Sequence, residues 1–284
     1  MHASAEFAES ECRLCGSGGS VYMQRPEFSI RRCGACCTLW CDPLRFNDTF
    51  NPDNEDAYLE VDDAIAAENA RRVEFVQAHA PPSSHQRLVE IGCMHGDFIE
   101  QARRSGYDAL GLDLSETAVD HAAKHRPTMV EYGTLDEAQA DESLDVIAGF
   151  NVVEHMEDPG EFLDHVHRVL RPGGWFFAET PAQESLYHWA FMARGFVQSK
   201  ASQLEVGMHP GTHIFKFGKK AWRNVLERRG FSVATIQSKS TPLRELLAKN
   251  KQAPLLFRGG IVGVGALARA MGLGNRVLIA GQRR

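Results

Sequence analysis

The chain has 284 residues, of which 43% are hydrophobic and 24% are charged, a composition typical of globular proteins. This length accommodates one α/β domain of ordinary size and a smaller appendage. No apolar run reaches the roughly 18 residues of a transmembrane helix, and the N-terminus lacks a basic-then-apolar signal. We therefore expect a cytoplasmic protein without a transmembrane segment.

The charge is distributed unevenly along the chain. The formal net charge is -6, yet residues 200–284 contain 16 Lys and Arg against 3 Asp and Glu. Two interpretations remain open. The basic residues either form solvated helix faces, or they lie near an anionic acceptor, a carrier, or a membrane surface that the protein contacts peripherally.

The first predicted element is a zinc ribbon, because the cysteines are concentrated near the N-terminus. Cys12 and Cys15 form one Cys-x-x-Cys pair, and Cys33 and Cys36 form a second pair after 17 intervening residues that alternate like a short hairpin. This spacing is typical of a tetrahedral structural zinc site with four thiolate ligands. Four protein ligands would leave no open coordination position, so this Zn²⁺ would stabilise the fold.

Other interpretations of these cysteines remain. A disulfide framework would require an oxidising compartment, and a redox pair would require a thioredoxin-like strand and helix. Cys37 and Cys41 are additional thiols, and either could replace one of the four predicted ligands.

After the ribbon the pattern predicts a helix over 55–80 that Pro81-Pro82 ends. Strands and helices then alternate, which predicts an α/β fold with a doubly wound, mostly parallel sheet. The predicted strands cover 88–91, 108–113, 128–132, 145–150, 175–179, 231–237 and 276–280, and the predicted helices cover 97–105, 116–124, 159–170 and 219–229. Residues 241–274 are predicted to be a basic helical insertion.

The turn after the first of these strands has the pattern of a nucleoside-binding unit. Gly92 and Gly96 flank the turn, and Asp113 ends the next strand 21 residues after Gly92, the spacing of a ribose-binding acid. Met94 replaces the glycine that lets the backbone approach a pyrophosphate, which favours a cofactor without phosphates. S-adenosylmethionine is such a cofactor, and Glu90 is suited to its charged half.

Further motifs connect this turn to a known family. Together with the block Asn151–Pro159 and the segment Val169–Gly174, the turn resembles the class I S-adenosylmethionine-dependent methyltransferases. Gly211-Thr-His213 resembles the ubiquinone-biosynthesis O-methyltransferases, whereas a four-cysteine ribbon joined to such a domain resembles the sugar C-methyltransferases and related natural-product enzymes. The resemblance implies a Rossmann-like fold, S-adenosylmethionine as cofactor, and a small-molecule acceptor methylated on oxygen or on carbon.

Eleven residues are expected around the cofactor. They are Glu90, Gly92, Cys93, Gly96, Asp113, Leu114, Gly133, Thr134, Leu135, Phe150 and Asn151. Asp113 can accept both ribose hydroxyls, and Leu114 would cover one face of the adenine. By resemblance, the adenine edge meets 133–135, and Phe150 and Asn151 lie beside the amino-acid part.

Three histidines are candidates for the catalytic base: His155, His209 and His213. An acceptor hydroxyl must lose a proton when it is methylated, and a histidine with a pKa near the operating pH suits that role. In the quinone enzymes a Glu-His pair contributes to divalent-metal binding. Glu154 and His155 match this pair, but Asn151 stands where those enzymes have an acid.

Two other functions compete with a small-molecule enzyme. A methyltransferase acting on rRNA or tRNA would be consistent with a ribbon and a basic tail. However, the ribbon region is acidic, and Asn151-Val-Val-Glu154 differs from the Asn/Asp-Pro-Pro-aromatic tetrapeptide common in base methylation. A non-catalytic zinc-ribbon scaffold that retains a degenerate cofactor fold is the second alternative, and the intact set Glu90, Gly92, Gly96 and Asp113 argues against it.

The sequence therefore predicts three parts. Residues 1–50 form a zinc ribbon, and 51–84 form a linker and the first helix. Residues 85–284 form the methyltransferase domain, with the basic insertion at about 241–274.

Overall fold

A seven-stranded sheet with helices on its faces forms the centre of the molecule, and a four-stranded sheet packs against it. The computed structural model describes residues 11–24, 27–44, 63–83, 86–126, 129–138, 140–186, 208, 213–241 and 255–284.

The large sheet is formed by the strands β4 (Arg87–Ile91), β5 (Asp108–Asp113), β6 (Val130–Tyr132), β7 (Leu144–Phe150), β8 (Leu170–Pro181), β10 (Phe231–Lys239) and β11 (Arg276–Arg283). Their order across the sheet is β10-β11-β8-β7-β4-β5-β6. Strands β4 to β8 pair in parallel, and β11 is antiparallel to both β8 and β10. The prediction of a doubly wound, mostly parallel sheet is confirmed.

The connections reverse direction between β4 and β7, which are neighbours in the sheet although β5 and β6 intervene in sequence. Ligands of open α/β sheets bind beyond the carboxyl ends of the strands at such a switch point. The predicted glycine turn follows β4, and the predicted acceptor-side residues follow β7, so both segments begin at this edge.

The helices follow local sequence signals. They are α1 (Asp63–His79), α2 (Asp97–Arg104), α3 (Glu116–His125), α4 (Leu135–Ala138), α5 (Pro159–Val169), α6 (Lys219–Arg228) and α7 (Leu255–Met271). Ser115 caps α3 by accepting a hydrogen bond from the Ala118 amide, and Asp158 caps α5 in the same way through the Glu161 amide. None of the described helices is both long and apolar enough to span a bilayer.

Some predicted boundaries differ from the structure. The predicted strand over 175–179 begins earlier in the structure: β8 starts at Leu170, so Arg171-Pro-Gly-Gly174 lies inside the strand, where the pairing with β7 shifts register. The predicted helix over 55–80 is described only from Asp63, and the first part of the 241–274 insertion lies outside the described residues.

The N-terminal ribbon forms most of the small sheet. The strands of this sheet are β1 (Gly19–Gln24), β2 (Ser29–Cys33), β3 (Leu39–Asp42) and β9 (Phe215–Lys216), in the order β1-β2-β3-β9. The predicted hairpin corresponds to β1 and β2. The sequence does not predict the pairing of β3 with β9, because β9 lies far downstream in the chain. Ribbon residues Leu14 and Trp40 pack in one hydrophobic cluster with Phe162 of α5 and Trp222 of α6.

Candidate functional site

The four predicted zinc ligands lie together. Their sulfur atoms are all within 4.8 Å of one another, with Cys12 Sγ 3.6 Å from Cys36 Sγ and Cys15 Sγ 3.4 Å from Cys33 Sγ. A tetrahedron of thiolates with zinc–sulfur bonds of about 2.3 Å has edges of about 3.8 Å. All seven cysteines are free thiols. The cluster therefore has the composition and size of a tetrathiolate metal site.

The surroundings act differently on the four thiols: burial raises the pKa of Cys33 to about 11, whereas the pKa of Cys36 is lowered. The Cys36 amide donates a hydrogen bond to Cys33 Sγ over 3.3 Å. Hydrogen bonds with Cys12 and Thr38 lower the pKa of the Cys36 thiol. Of the two additional cysteines, Cys41 is buried in β3 and Cys37 is half-buried.

The turn between β4 and α2 is shaped by two glycines. Gly92 has φ +66°, and a Cβ there would lie 2.5 Å from Val152 Cγ2. Gly96 has φ +81°, and a Cβ would lie 2.7 Å from Val130 Cγ2. Both positions therefore exclude a side chain through the backbone conformation and through contact. The turn closes tightly over the ends of β4 and β5.

Asp113 is tied to this turn. Its Oδ2 accepts a hydrogen bond from the Met94 amide over 2.7 Å, and its Oδ1 accepts one from the Ser115 amide over 2.9 Å. Met94 has φ +50°, so a non-glycine residue occupies the left-handed region at the position of the missing glycine. Each carboxylate oxygen keeps lone-pair capacity for a further donor, such as a ribose hydroxyl.

Glu90 is almost completely buried at the end of β4, and its burial raises the pKa of the carboxyl group to about 8. Its Oε2 has no hydrogen-bond partner among the residues that the structure describes. Arg72 of α1 opposes this shift, and its guanidinium stacks 4.8 Å above the Phe150 ring. A buried carboxylate that lacks a full set of partners fits a cationic group of a ligand.

The expected adenine-side residues differ in exposure. Leu114, the residue after β5, is 62% exposed, a large value for an apolar side chain. Gly133 and Thr134 are half-buried after β6, whereas Leu135 is buried in the core and offers a ligand only its backbone. The Cys93 side chain also packs inward, against Gly111 and Ile99.

The residues after β7 form a second group. Phe150 packs edge-on against Phe98 at 5.1 Å, and Asn151 is exposed with φ +58°. A single 3-10 turn follows over Val153–His155, in which the Glu154 side chain is buried and the His155 side chain is partly exposed.

We call Glu154, His155 and His213 the acceptor-side cluster. Their ligand atoms lie within 4.8 Å of one another, and the two imidazole rings are 4.8 Å apart. Glu154 is 0% exposed, and His155 Nε2 lies 3.9 Å from its Oε1. Burial raises the pKa of Glu154 to about 8, and neither carboxylate oxygen has a hydrogen-bond partner among the described residues. His209, the third candidate base, lies outside the described residues.

A buried ion-pair network beneath the site was not apparent from the sequence. Glu179 of β8 pairs with Arg72 of α1 at 3.4 Å and with Arg276 of β11 at 3.0 Å, and Arg276 also approaches Glu68 at 3.8 Å. Only the placement of Glu179 at the end of a predicted strand and of Arg276 at the start of another could have indicated it.

The fold and the turn define a class I S-adenosylmethionine-dependent methyltransferase. A family model for the methyltransferase domain matches residues 61–236, and the chain belongs to this family.

Known proteins place the chain among the same enzymes. It is 30% identical over 236 residues to a ubiquinone biosynthesis O-methyltransferase of Mesorhizobium japonicum, in a match that covers 78% of this chain and 89% of the relative. A ubiquinone biosynthesis O-methyltransferase of Methylococcus capsulatus is 34% identical over 123 residues, but the match spans only 41% of this chain and 52% of that relative. The crystal structure of magnesium protoporphyrin IX methyltransferase from Synechocystis, with bound S-adenosylhomocysteine, has a TM-score of 0.55 at 16% identity, covering 84% of this chain and 97% of that one. This likeness concerns the fold.

Proposed function

We propose that this methyltransferase methylates a hydroxyl group of a natural-product, sugar or quinone-like small molecule, with His155 or His213 as the base. The observation that carries the proposal is the acceptor-side cluster, which joins two histidines and a buried carboxylate at the end of the strand beside the cofactor turn. The relatives named as O-methyltransferases support the same acceptor atom.

The residues around the turn would hold S-adenosylmethionine. Asp113 would accept the ribose hydroxyls, Leu114 would lie against the adenine, and Glu90 would pair with the ammonium group of the methionine half. Gly133, Thr134 and the Leu135 backbone would border the adenine edge, whereas Cys93 and Gly96 shape the turn. The bound cofactor supplies a methyl group already activated by a sulfonium. The protein therefore needs mainly to align the acceptor.

One of the two histidines would accept the proton of the acceptor hydroxyl. This hydroxyl must lose its proton when it is methylated, and an imidazole nitrogen of His155 or His213 would accept that proton. Glu154, whose pKa is about 8, would stabilise the imidazolium where it is ionised, since a carboxylate beside a histidine favours the charged form of the ring. The His155 side chain is 30% exposed, so an acceptor can reach its ring.

A divalent cation is a second candidate for the same cluster. The buried Glu154 carboxylate and two histidines provide oxygen and nitrogen ligands, and such a set suits several divalent transition metals. If a cation binds, these three side chains would orient it toward the acceptor. At position 151, where the quinone enzymes have an acid, this chain has a neutral asparagine.

We also propose that the four-cysteine cluster binds structural Zn²⁺. The support is its set of four thiols, their separations and the amide that donates to Cys33 Sγ. Metal analysis of the purified protein should give about one zinc per chain. A Cys15→Ser variant should lose that zinc, whereas Cys93→Ser, at a buried cysteine outside the ribbon, should keep it.

The acceptor can be tested with the methyl donor and a panel of phenols, catechols, nucleotide sugars and neutral sugars. We expect O-methylated product from at least one hydroxyl compound. Separate His155→Gln and His213→Gln variants should show which histidine acts as base, with a loss of about 10²–10⁴-fold in kcat. Product methylated on carbon, or full activity in both variants, would refute the assignment. Assays with a chelator and then with Mg²⁺, Mn²⁺ or Zn²⁺ would distinguish the two roles of the cluster. Activity that is lost with the chelator and restored by a cation indicates a metal site, and activity that is unaffected indicates a histidine base.

A further inference from the structure

The ribbon is built into the acceptor side of the enzyme. β3 pairs on one side with β2 and on the other with β9, with Trp40 opposite Phe215 and Leu39 opposite Lys216. The fourth strand of the ribbon sheet is therefore supplied by the methyltransferase part of the chain. This strand directly follows His213 and Ile214.

Ile214 connects the ribbon to the acceptor-side cluster. Its carbonyl accepts a hydrogen bond from the Cys41 amide over 3.0 Å, and its amide donates to the Glu154 carbonyl over 3.1 Å. Ile214 is completely buried, so these hydrogen bonds are shielded from water. The backbone that carries His213 is thus fixed between a ribbon strand and the backbone that carries Glu154.

The turn between Cys12 and Cys15 contacts the segment that follows Glu154, at Glu157 and Gly160. Arg13 Nη1 donates to the Glu157 carbonyl over 3.1 Å, and the Arg13 carbonyl fills the space that a side chain at Gly160 would need. Arg229, which follows α6, donates to the Leu14 carbonyl over 3.0 Å. The ribbon is therefore connected to 154–160 in two ways: indirectly through Ile214, and directly through Arg13.

We propose that the metal-loaded ribbon positions the acceptor-side cluster: it holds His213 against Glu154 and His155. This inference rests on the proposed zinc site. Loss of the metal would release the turns of the ribbon, and with them the β3–β9 pairing that fixes Ile214. The cofactor turn should be affected less, because Cys93 and Phe98 pack in a different hydrophobic cluster from the ribbon cysteines.

The test uses the full-length protein and needs no acceptor. Zinc is removed with a chelator under reducing conditions and then restored. Imidazole signals of His155 and His213 are followed by proton–nitrogen correlation spectra, assigned with His155→Gln and His213→Gln. Binding of S-adenosylhomocysteine is measured by calorimetry. We expect both imidazole signals to shift on zinc removal and to return on zinc addition, while the affinity changes by less than about threefold.

Matched variants separate positioning from folding. Cys36→Ser should reproduce the metal-free spectrum, whereas Cys37→Ser, one residue further, should keep both zinc and the native signals. Unchanged imidazole signals without zinc would show that the ribbon is independent of the cluster. Loss of S-adenosylhomocysteine binding together with the signals would show that the ribbon is required for the whole fold. Either result overturns the proposal. A protein purified without zinc would instead refute the zinc site itself.

Discussion

At Gly92, both the backbone conformation and the packing disfavour any side chain. Its left-handed φ and its closeness to Val152 both exclude a side chain. We predict that Gly92→Ala weakens binding of S-adenosylhomocysteine by at least about tenfold, because the left-handed conformation, which costs about 1–2 kcal/mol, and the contact with Val152 would together displace the cofactor turn. Calorimetry measures this loss directly.

The contact with Val152 and the backbone conformation of Gly92 contribute separately to the loss of affinity, and a second substitution can distinguish them. Val152→Ala in the Gly92→Ala background should recover part of the affinity, since it removes the methyl group that the new Cβ meets. Gly173→Ala is the matched control, because Gly173 also has positive φ but no atom lies within 4 Å of the position that its Cβ would take. It should lower stability without changing affinity. No recovery in the double variant would mean that Val152 does not limit this turn.

Glu90 should make cofactor binding dependent on pH. Because its pKa in the free protein is about 8, the carboxyl group is mostly protonated at about pH 6.5. Pairing with the cofactor's ammonium group would lower that pKa, so binding at about pH 6.5 should release about one proton. Calorimetry in buffers of different ionisation enthalpy counts the protons. Glu90→Gln should abolish the release, and proton uptake by the native protein would contradict the pairing.

The raised pKa of Glu90 also predicts how the free energy of unfolding changes with pH. The folded-state pKa of Glu90 lies above the ordinary glutamate value of 4.5, so the folded state binds more protons than the unfolded state between these two values. Its contribution to the free energy of unfolding is fully present below about pH 4.5 and is lost as the pH rises through about 8. Glu90→Gln should remove this contribution to the pH dependence, which denaturant titrations can measure.

At the scale of elements, the buried network around Glu179 joins α1, β8 and β11. We predict that Arg276→Met lowers the free energy of unfolding by about 3 kcal/mol, because it leaves the buried Glu179 with Arg72 alone. Denaturant unfolding measures this change. The exposed Arg223–Glu227 pair of α6 is the control, and Arg223→Met should change stability by less than about 1 kcal/mol.

A double-mutant cycle tests whether the loss of stability in Arg276→Met comes from the unpaired charge of Glu179. Adding Glu179→Gln to Arg276→Met should cost less than the sum of the two single changes, since the remaining buried charge is then removed. Strict additivity would show that Arg276 acts through packing instead.

The elements differ in how far the sequence could predict them. β4, β5 and β7 are predicted closely because each is a largely apolar run, and Gly92 follows β4 while the helix cap Ser115 follows β5. β9 could not be predicted, since two residues carry no periodicity and their partner strand lies far away in the chain. Pairing between distant segments depends on tertiary packing, which local patterns do not contain.

The candidate site shows the same division. Asp113 and the glycines can be found because their spacing is local and fixed by one turn. The grouping of Glu154 with His213 depends on the β3–β9 pairing, so both histidines are candidates from sequence but nothing local indicates that their rings lie together. Arg72 is missed because a helix arginine has no local signal for the direction in which its side chain packs.

At the scale of the whole molecule, the basic last third suggests a preference for anionic acceptors. Residues 200–284 carry 16 Lys and Arg against 3 Asp and Glu. If the acceptor is attached to a diphosphate, a carrier or a lipid, we predict that KM rises several-fold between about 50 and 300 mM salt while kcat changes little. Steady-state assays with the anionic acceptor and its neutral counterpart test this. Equal KM values for both compounds at low salt would contradict an electrostatic preference.

The shared ribbon sheet has a consequence for how the protein is made. β3 is synthesised early, but its partner β9 emerges only after most of the large sheet has been translated. Until then β3 presents an unpaired edge, which other chains can pair with. All four cysteines of the cluster are therefore translated early, but the ribbon cannot complete its sheet early. A nascent or truncated chain that stops before Phe215 would be prone to aggregation whether or not the cysteines hold a metal, because β3 stays unpaired on one side until β9 pairs with it.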